Sequence, residues 1–218
     1  MKLFKTMVAA AAFTVAGLAQ ATTTTFTVLD GTPSGVNSVV SFDGGATTAN
    51  RSTLEYVGTS TAPPGTFAAF CLEPNVHLQN PGVYDVLGFT PAIADALSKL
   101  FTGAGWKSSD YLNDAVTTDA QKIGLGLAVW DIAIDGTFNL SSGNFRVIND
   151  GEGGNAVAFA NLAYSLGNTS MASSLLLLSS RDFQDLVIAV PEPSTYALMM
   201  AGLLGVGFVA RRRGAKRD

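Results

Sequence analysis

The 218-residue chain holds one cysteine, Cys71, and one histidine, His77. A single cysteine excludes any intramolecular disulfide. A single histidine excludes the two-histidine zinc sites. It leaves Cys71 with His77 as a formal hydrolytic dyad, and the two flank Pro74-Asn75 with nothing in the sequence to supply a third member. Phosphate loops of the Gly-Lys-Ser/Thr kind, Gly-x-Ser-x-Gly elbows and His-Glu-x-x-His helices are all absent. The apolar runs are short as well. One lies at each end of the chain, and cations are scarce between them.

What is present is concentrated at the termini. Met1–Ala21 has a basic start (Lys2, Lys5), an apolar stretch from Met7 to Ala19 and the small-x-small ending Ala19-Gln20-Ala21. That is the pattern of a secretory signal peptide cleaved after Ala21, and the apolar stretch is short for an uncleaved anchor. At the other end stand Pro191-Glu192-Pro193, the uncharged run Ser194–Ala210, and then Arg211-Arg212-Arg213 with Lys216 and Arg217 beyond. Two prolines in three residues can continue neither a helix interior nor a central strand. As a helix, 194–210 would reach about 26 Å, slightly less than a ~30 Å hydrocarbon core. The arginine cluster would stay cytoplasmic and leave residues 22–190 on the opposite side. An ordinary C-terminal anchor would show the same run and the same basic stop.

Val190 to Arg213 resembles the PEP-CTERM tail of exported proteins of Gram-negative bacteria: Val-Pro-Glu-Pro-Ser, a Gly-rich apolar segment, then an Arg cluster. The resemblance implies recognition of Pro191, Glu192 and Pro193 by an exosortase, a membrane-embedded protease and transpeptidase, with this chain as substrate. The secretion translocon and signal peptidase would act before it. The protein would sit transiently in the inner membrane and then reach the cell surface or the medium, with exopolysaccharide as a further candidate partner.

Setting both ends aside changes the charge. Met1–Ala21 takes Lys2 and Lys5, and Pro191–Asp218 takes five basic residues with Glu192 and Asp218; residues 22–190 keep 6 basic and 15 acidic side chains, a net charge of −9. Such a surface repels nucleic acid and anionic lipid. About 170 residues suffice for one core, in one domain or two closely packed lobes. In an exported chain a solitary thiol is buried and inert, intermolecular, or chemically special.

Along 22–190 the pattern predicts strands at Thr22–Asp30, Gly35–Asp43, Thr53–Thr59, Gly65–Glu73 and Val83–Phe89, punctuated by Gly, Pro, Asn and Asp. At Thr90-Pro91 the period changes. Thr90 as N-cap and Pro91 at N1 predict a helix with Ile93, Ala96, Leu97, Leu100 and Phe101 on one face, stopped by Gly103-Ala104-Gly105. Ser108 or Ser109 would cap a short helix through Tyr111, Leu112 and Ala115. Thr117 or Thr118 would open a longer one with Ile123, Leu127, Trp130 and Ile134 repeating. Asn155–Gly167 is a further helix with Val157, Phe159, Ala160, Leu162, Ala163 and Leu166 as its apolar set. Ser174–Leu178 and Asp182–Val190 return to strand. The expected fold is α+β: a β-sandwich-like ectodomain with an inserted helical lobe, followed by one transmembrane helix.

Gly65-Thr66-Phe67 with Phe70-Cys71-Leu72-Glu73, and Leu127-Ala128-Val129-Trp130-Asp131-Ile132, resemble the cysteine strand and the Trp helix of bacterial surface thioester domains; Gly143-Asn144-Phe145 and Ala156–Leu166 extend the likeness over about 65–166. The resemblance implies a Cys–Gln thioester that acylates a target surface. The required glutamine, four residues before Trp130, is here Gly126, which has no side chain to acylate. Gln121 is the nearest substitute, but it stands about 140° around the helix and about 7 Å along it from Gly126. The expectation is therefore a degenerate domain of this type, with Cys71 a small buried hydrophobe packed against the helix of Trp130. As a candidate reactive thiol, Cys71 has no Lys, Arg or His on its strand to favour the thiolate.

Asn149–Asn155 offers oxygens and flexible glycines but lacks the carboxylate spacing of a calcium loop, so a solvated turn is expected. Trp106, Tyr111, Trp130 and Tyr164 could make a sugar-stacking platform, although helical spacing places Trp130 in the core. The expected reading is an exported, non-enzymatic envelope or matrix protein with no cofactor. The alternatives are a covalent adhesin using Cys71 and a carbohydrate-active or other hydrolase, whose mark would be two carboxylates converging in a deep cleft.

Overall fold

The computed structural model describes residues 22–30, 36–53, 55–108, 115–190 and 202–203. The signal segment, Pro191–Pro193, all of 194–210 except Gly202 and Leu203, and Arg211–Arg213 lie outside the described residues. Most of the expected short helix after Ser108 lies outside them too. Among the described residues no helix is long and apolar enough to cross a membrane.

Among the described residues, nine strands and three α-helices follow one another in the order β1 (Thr22–Asp30), β2 (Ser38–Ser41), β3 (Ala49–Arg51), β4 (Glu55–Thr61), β5 (Pro64–Cys71), β6 (Gly82–Gly88), α1 (Pro91–Ala104), α2 (Asp119–Asp135), β7 (Arg146–Asn149), α3 (Asn155–Leu166), β8 (Leu175–Ser179) and β9 (Leu186–Ala189). The helical insertion between β6 and β8 is as the change of period predicts. The sandwich is not. Six strands close into an antiparallel barrel in the order β1-β4-β5-β9-β8-β6, because β1 is paired along both edges: Phe26 opposite Ser60 on β4, Thr24 opposite Tyr84 on β6. Closure removes the barrel's exposed edges, which two facing sheets would have retained. Two strands too short and polar to show in the pattern, β3 and β7, flank β2 in a separate three-stranded sheet, with Val40 opposite Val147.

Helix α1 starts at Thr90 with Pro91 in the first turn, although the Thr90 hydroxyl makes no capping bond; Gly105, at φ 70°, ends it by donating its N–H to Phe101 O and Thr102 O. Helix α2 is opened by a capping box: Thr118 Oγ1 accepts the Gln121 N–H, and Gln121 Oε1 accepts the N–H of Thr117 and Thr118. Its residues from Ile123 to Ile132 are buried on every side, whereas Ile134 is 38% exposed.

Helix α3 differs from its expected face. Ala156, Ala160 and Ala163 are buried, while Leu162 and Leu166 are exposed. Close backbone approach explains the choice. A Cβ on Gly124 of α2 would lie 2.3 Å from Ala156 O, and one on Gly103 of α1 would lie 1.8 Å from Ala163 O. Only small residues fit such contacts, so the alanines face inward and the leucines are left outside.

Candidate functional site

Strand β5 carries the candidate thiol and shows how the core is divided. Along it and its partner β4, Phe70 and Glu55 share one face, while Cys71, Ala69 and Tyr56 share the other. The Phe70 face meets the helical lobe: Phe70 stacks on Phe101 at 6.1 Å and tilts against Trp106 at 5.4 Å. Beside it Glu55 accepts the Trp106 indole N–H at 2.8 Å and pairs with Lys122 at 2.9 Å. The other face turns into the barrel. There burial pushes the Tyr56 phenol up, with nearby Cys71 adding to it, and burial pushes Tyr84 up to about 12.

Cys71 is the last residue of β5 and is buried. Trp130 of α2, itself buried, donates its indole N–H to Cys71 Sγ at 3.3 Å and meets Phe145 edge-on. The strand and helix that carry the two motifs are thus brought together.

The acyl partner is not supplied. A Cβ on Gly126 would lie 2.5 Å from Thr53 Cβ, so the Thr53 side chain fills the space a glutamine would need. Gln121 is held at the N-terminus of α2 by its two backbone bonds. His77 packs edge-on to Phe183. Trp106 and Trp130 are buried and Tyr164 is stacked on Phe138 at 4.3 Å, so the residues proposed for sugar stacking present no common surface; Tyr111 lies outside the described residues.

Three carboxylates, none of them given this role by the sequence, hold the loops around this core. Asp131, next to Trp130 and fully buried, accepts the Asn139 N–H on Oδ2, while its Oδ1 has no hydrogen-bond partner. One turn on, Asp135 accepts the N–H of Asn144 and of Phe145. Burial, reinforced by the Asp135 charge and opposed by the Asn139 bond, pushes Asp131 up to about 7. Asp150 is nearly as buried and sits in the glycine-rich stretch considered for calcium. Its oxygens accept the N–H of Glu152, Gly154 and Val157, which makes it the lead-in of α3. Burial raises its carboxyl, but the backbone bonds from Gly154, Val157, Glu152 and Ala156 outweigh it and hold it below the ordinary value.

A cleft of about 540 Å³ opens beside the end of β5, lined mainly by apolar groups such as Phe42, Leu72, Ile93 and Ile134, with Glu73 and Asp185 among them. Two carboxylates do line a cleft, then. Both are engaged with the backbone: Glu73 Oε2 accepts the Asp185 N–H, and Asp185 accepts the Ser180 N–H and the Ser179 hydroxyl. Among the described residues no group of three His, Cys, Asp or Glu could hold a metal ion.

The exit of the C-terminal tail completes the geometry. Strand β9 ends at Ala189, and Val190 donates its N–H to Ser174 O at 2.8 Å. The hydrogen-bonded body therefore runs up to the residue before Pro191. Residues 189–213 match the PEP-CTERM protein-sorting motif. No curated protein and no solved structure matches the chain.

Proposed function

We propose that the chain is an exosortase substrate: an exported domain of residues 22–190 with a structural or binding role, delivered by its C-terminal tail to the cell envelope or the extracellular matrix. The observation that carries this is the sorting motif over 189–213, which begins at the last residue of β9. Pro191, Glu192 and Pro193 are then the residues recognised, 194–210 the transient membrane span, and Arg211–Arg213 its cytoplasmic stop. A non-enzymatic role for the domain is supported by the way its polar groups are used. Cys71 accepts from Trp130, Gln121 caps α2, and Glu73, Asp131, Asp135, Asp150 and Asp185 accept backbone N–H groups.

The test is replacement of Pro191, Glu192 and Pro193 together by alanine in the native host. The full-length protein should accumulate in the inner membrane. Release at the wild-type rate would reduce the tail to a plain anchor.

A further inference from the structure

Strand β9 belongs both to the barrel and to the tail. All of its residues, Leu186–Ala189, are buried. It lies between β5 and β8, with Leu186 opposite both Cys71 and Leu178, and Ala189 opposite Leu175. Val190 adds a further bond, donating its N–H to Ser174 O at 2.8 Å. The sorting motif nevertheless begins at 189. Ala189 and Val190 are therefore part of the signal and are already tied into the barrel's backbone pairing. Drawing them into another protein's active site would part β9 from β8 and open the barrel there.

A protein that takes up an extended peptide holds it by main-chain hydrogen bonds like those of an added strand. Residues on the acyl side of a cut must be free to make them. The bonds outward from the body differ in this respect and in their chemistry. Ala189–Val190 lies inside the paired segment. Val190–Pro191 and Glu192–Pro193 are tertiary amides, whose ring nitrogen has no N–H and whose ring carbon crowds the preceding residue. Pro191–Glu192 is a secondary amide, but only Pro191 separates it from Val190. Pro193–Ser194 is the first secondary amide with the whole tripeptide between it and the body.

We propose that the processing protease cuts Pro193–Ser194, and that the folded body sets this position by withholding Ala189 and Val190. The proposal rests on the sorting reading above, in which 194–210 spans the membrane. Inside a bilayer the backbone of such a run must be hydrogen-bonded within its own helix, so bonds deeper in it are reached only by unwinding. The first N–H groups of a helix have no intrahelical partner, so the Ser194 amide lacks that protection. In the step, the C–N bond between Pro193 and Ser194 breaks. The Pro193 carbonyl carbon passes to water or to an acceptor amine. The Ser194 nitrogen takes up the proton which that nucleophile gives up, and it becomes the amino terminus of the discarded span. Pro191-Glu192-Pro193 stays on the body.

The test is the C-terminal sequence of the protein released in its native host. Trypsin cuts after Arg181, so mass spectrometry of a digest reads the chain end in one fragment that starts at Asp182. That fragment should end at Pro193, as the free acid or with the acceptor attached. An end at Glu192 or earlier would mean that the body does not limit access. An end at Ser194 or beyond would move the cut into the span. Either overturns the proposal and leaves the sorting reading standing. A wild-type chain that is never released removes the sorting reading, and the proposal with it. Ser194→Pro makes the assigned bond a prolyl amide while keeping the tripeptide and the body, and proline is accepted at the first position of a helix. Its release should slow by an order of magnitude or more, whereas Ser194→Ala should be released as the wild type is. Ser194→Pro released at the wild-type rate overturns the assignment.

Discussion

Asp131 and Asp150 are both out of contact with solvent and do similar work, yet their carboxyls are shifted in opposite directions. Each is a buried carboxylate that holds a loop by accepting backbone N–H groups. Asp150 accepts three through two oxygens, and its carboxyl lies below the ordinary value. Asp131 accepts one, leaves Oδ1 without a partner, and is pushed up to about 7 by burial and then by Asp135. Burial disfavours charge at both positions. Asp131 lies deeper in the packed interior and faces the Asp135 charge, whereas the donors aimed at Asp150 outweigh its burial.

The largest effect should come from Asp131→Asn. Folding raises the Asp131 pKa, so its contribution to stability is complete below about pH 4 and is lost as pH rises towards 7. The loss is on the order of 4 kcal/mol across that window. The amide keeps an acceptor for Asn139 and cannot ionise. Denaturant unfolding of residues 22–190 should therefore show the variant more stable than wild type at pH 8 and nearly equal to it at pH 4. A variant less stable at pH 8 would mean that Asp131 is charged and satisfied, and the contrast with Asp150 would fail.

Asp150→Asn should act with the opposite sign. Its lowered pKa gives stability that is present at neutral pH and lost as pH falls through the folded value. Replacing an acceptor of three N–H groups by one with fewer lone pairs should cost about 1–3 kcal/mol at pH 7. The penalty should shrink in acid, where the wild-type group is itself protonated. Calorimetry at the two pH values tests this, and a penalty independent of pH would break the assignment.

Gly126→Gln restores the residue that the thioester resemblance calls for. With Thr53 Cβ 2.5 Å from the new Cβ, it should destabilise by about 1–3 kcal/mol. Intact mass should show no loss of ammonia, and methylamine should add nothing. A mass deficit of one ammonia would show that position 126 can still reach Cys71.

Cys71→Ala supplies the control, a buried group that accepts from a neutral indole. It should cost about 1–2 kcal/mol for the cavity and the lost Trp130 bond, read by denaturant unfolding. Native Cys71 should alkylate slowly, and quickly in denaturant. Fast native alkylation would reopen the reactive-thiol reading.

Several elements could be read directly from the residues because local chemistry fixes them. Thr22–Asp30 is a strand with those same bounds. Thr90-Pro91 and Gly105 bracket α1, and Thr118 with Gln121 opens α2. Caps, prolines and alternation act within one turn or one strand, so a single sequence carries them. The sorting motif is local in the same sense, a contiguous string at 189–213.

Everything that depends on which elements meet was decided by the tertiary structure. Alternation marks a strand's two faces but says nothing of its edges, so β1 pairing with both β4 and β6, and the barrel that follows, could not be foreseen. Periodicity favours the largest apolar residues as the buried set. In α3, backbone contact with α1 and α2 left room only for alanine, and Leu162 and Leu166 face outward. Asp131 and Asp150 look alike in the sequence; what separates them is how deeply each is packed, which charge stands beside it and how many N–H groups the folded chain directs at it, and packing sets the first two.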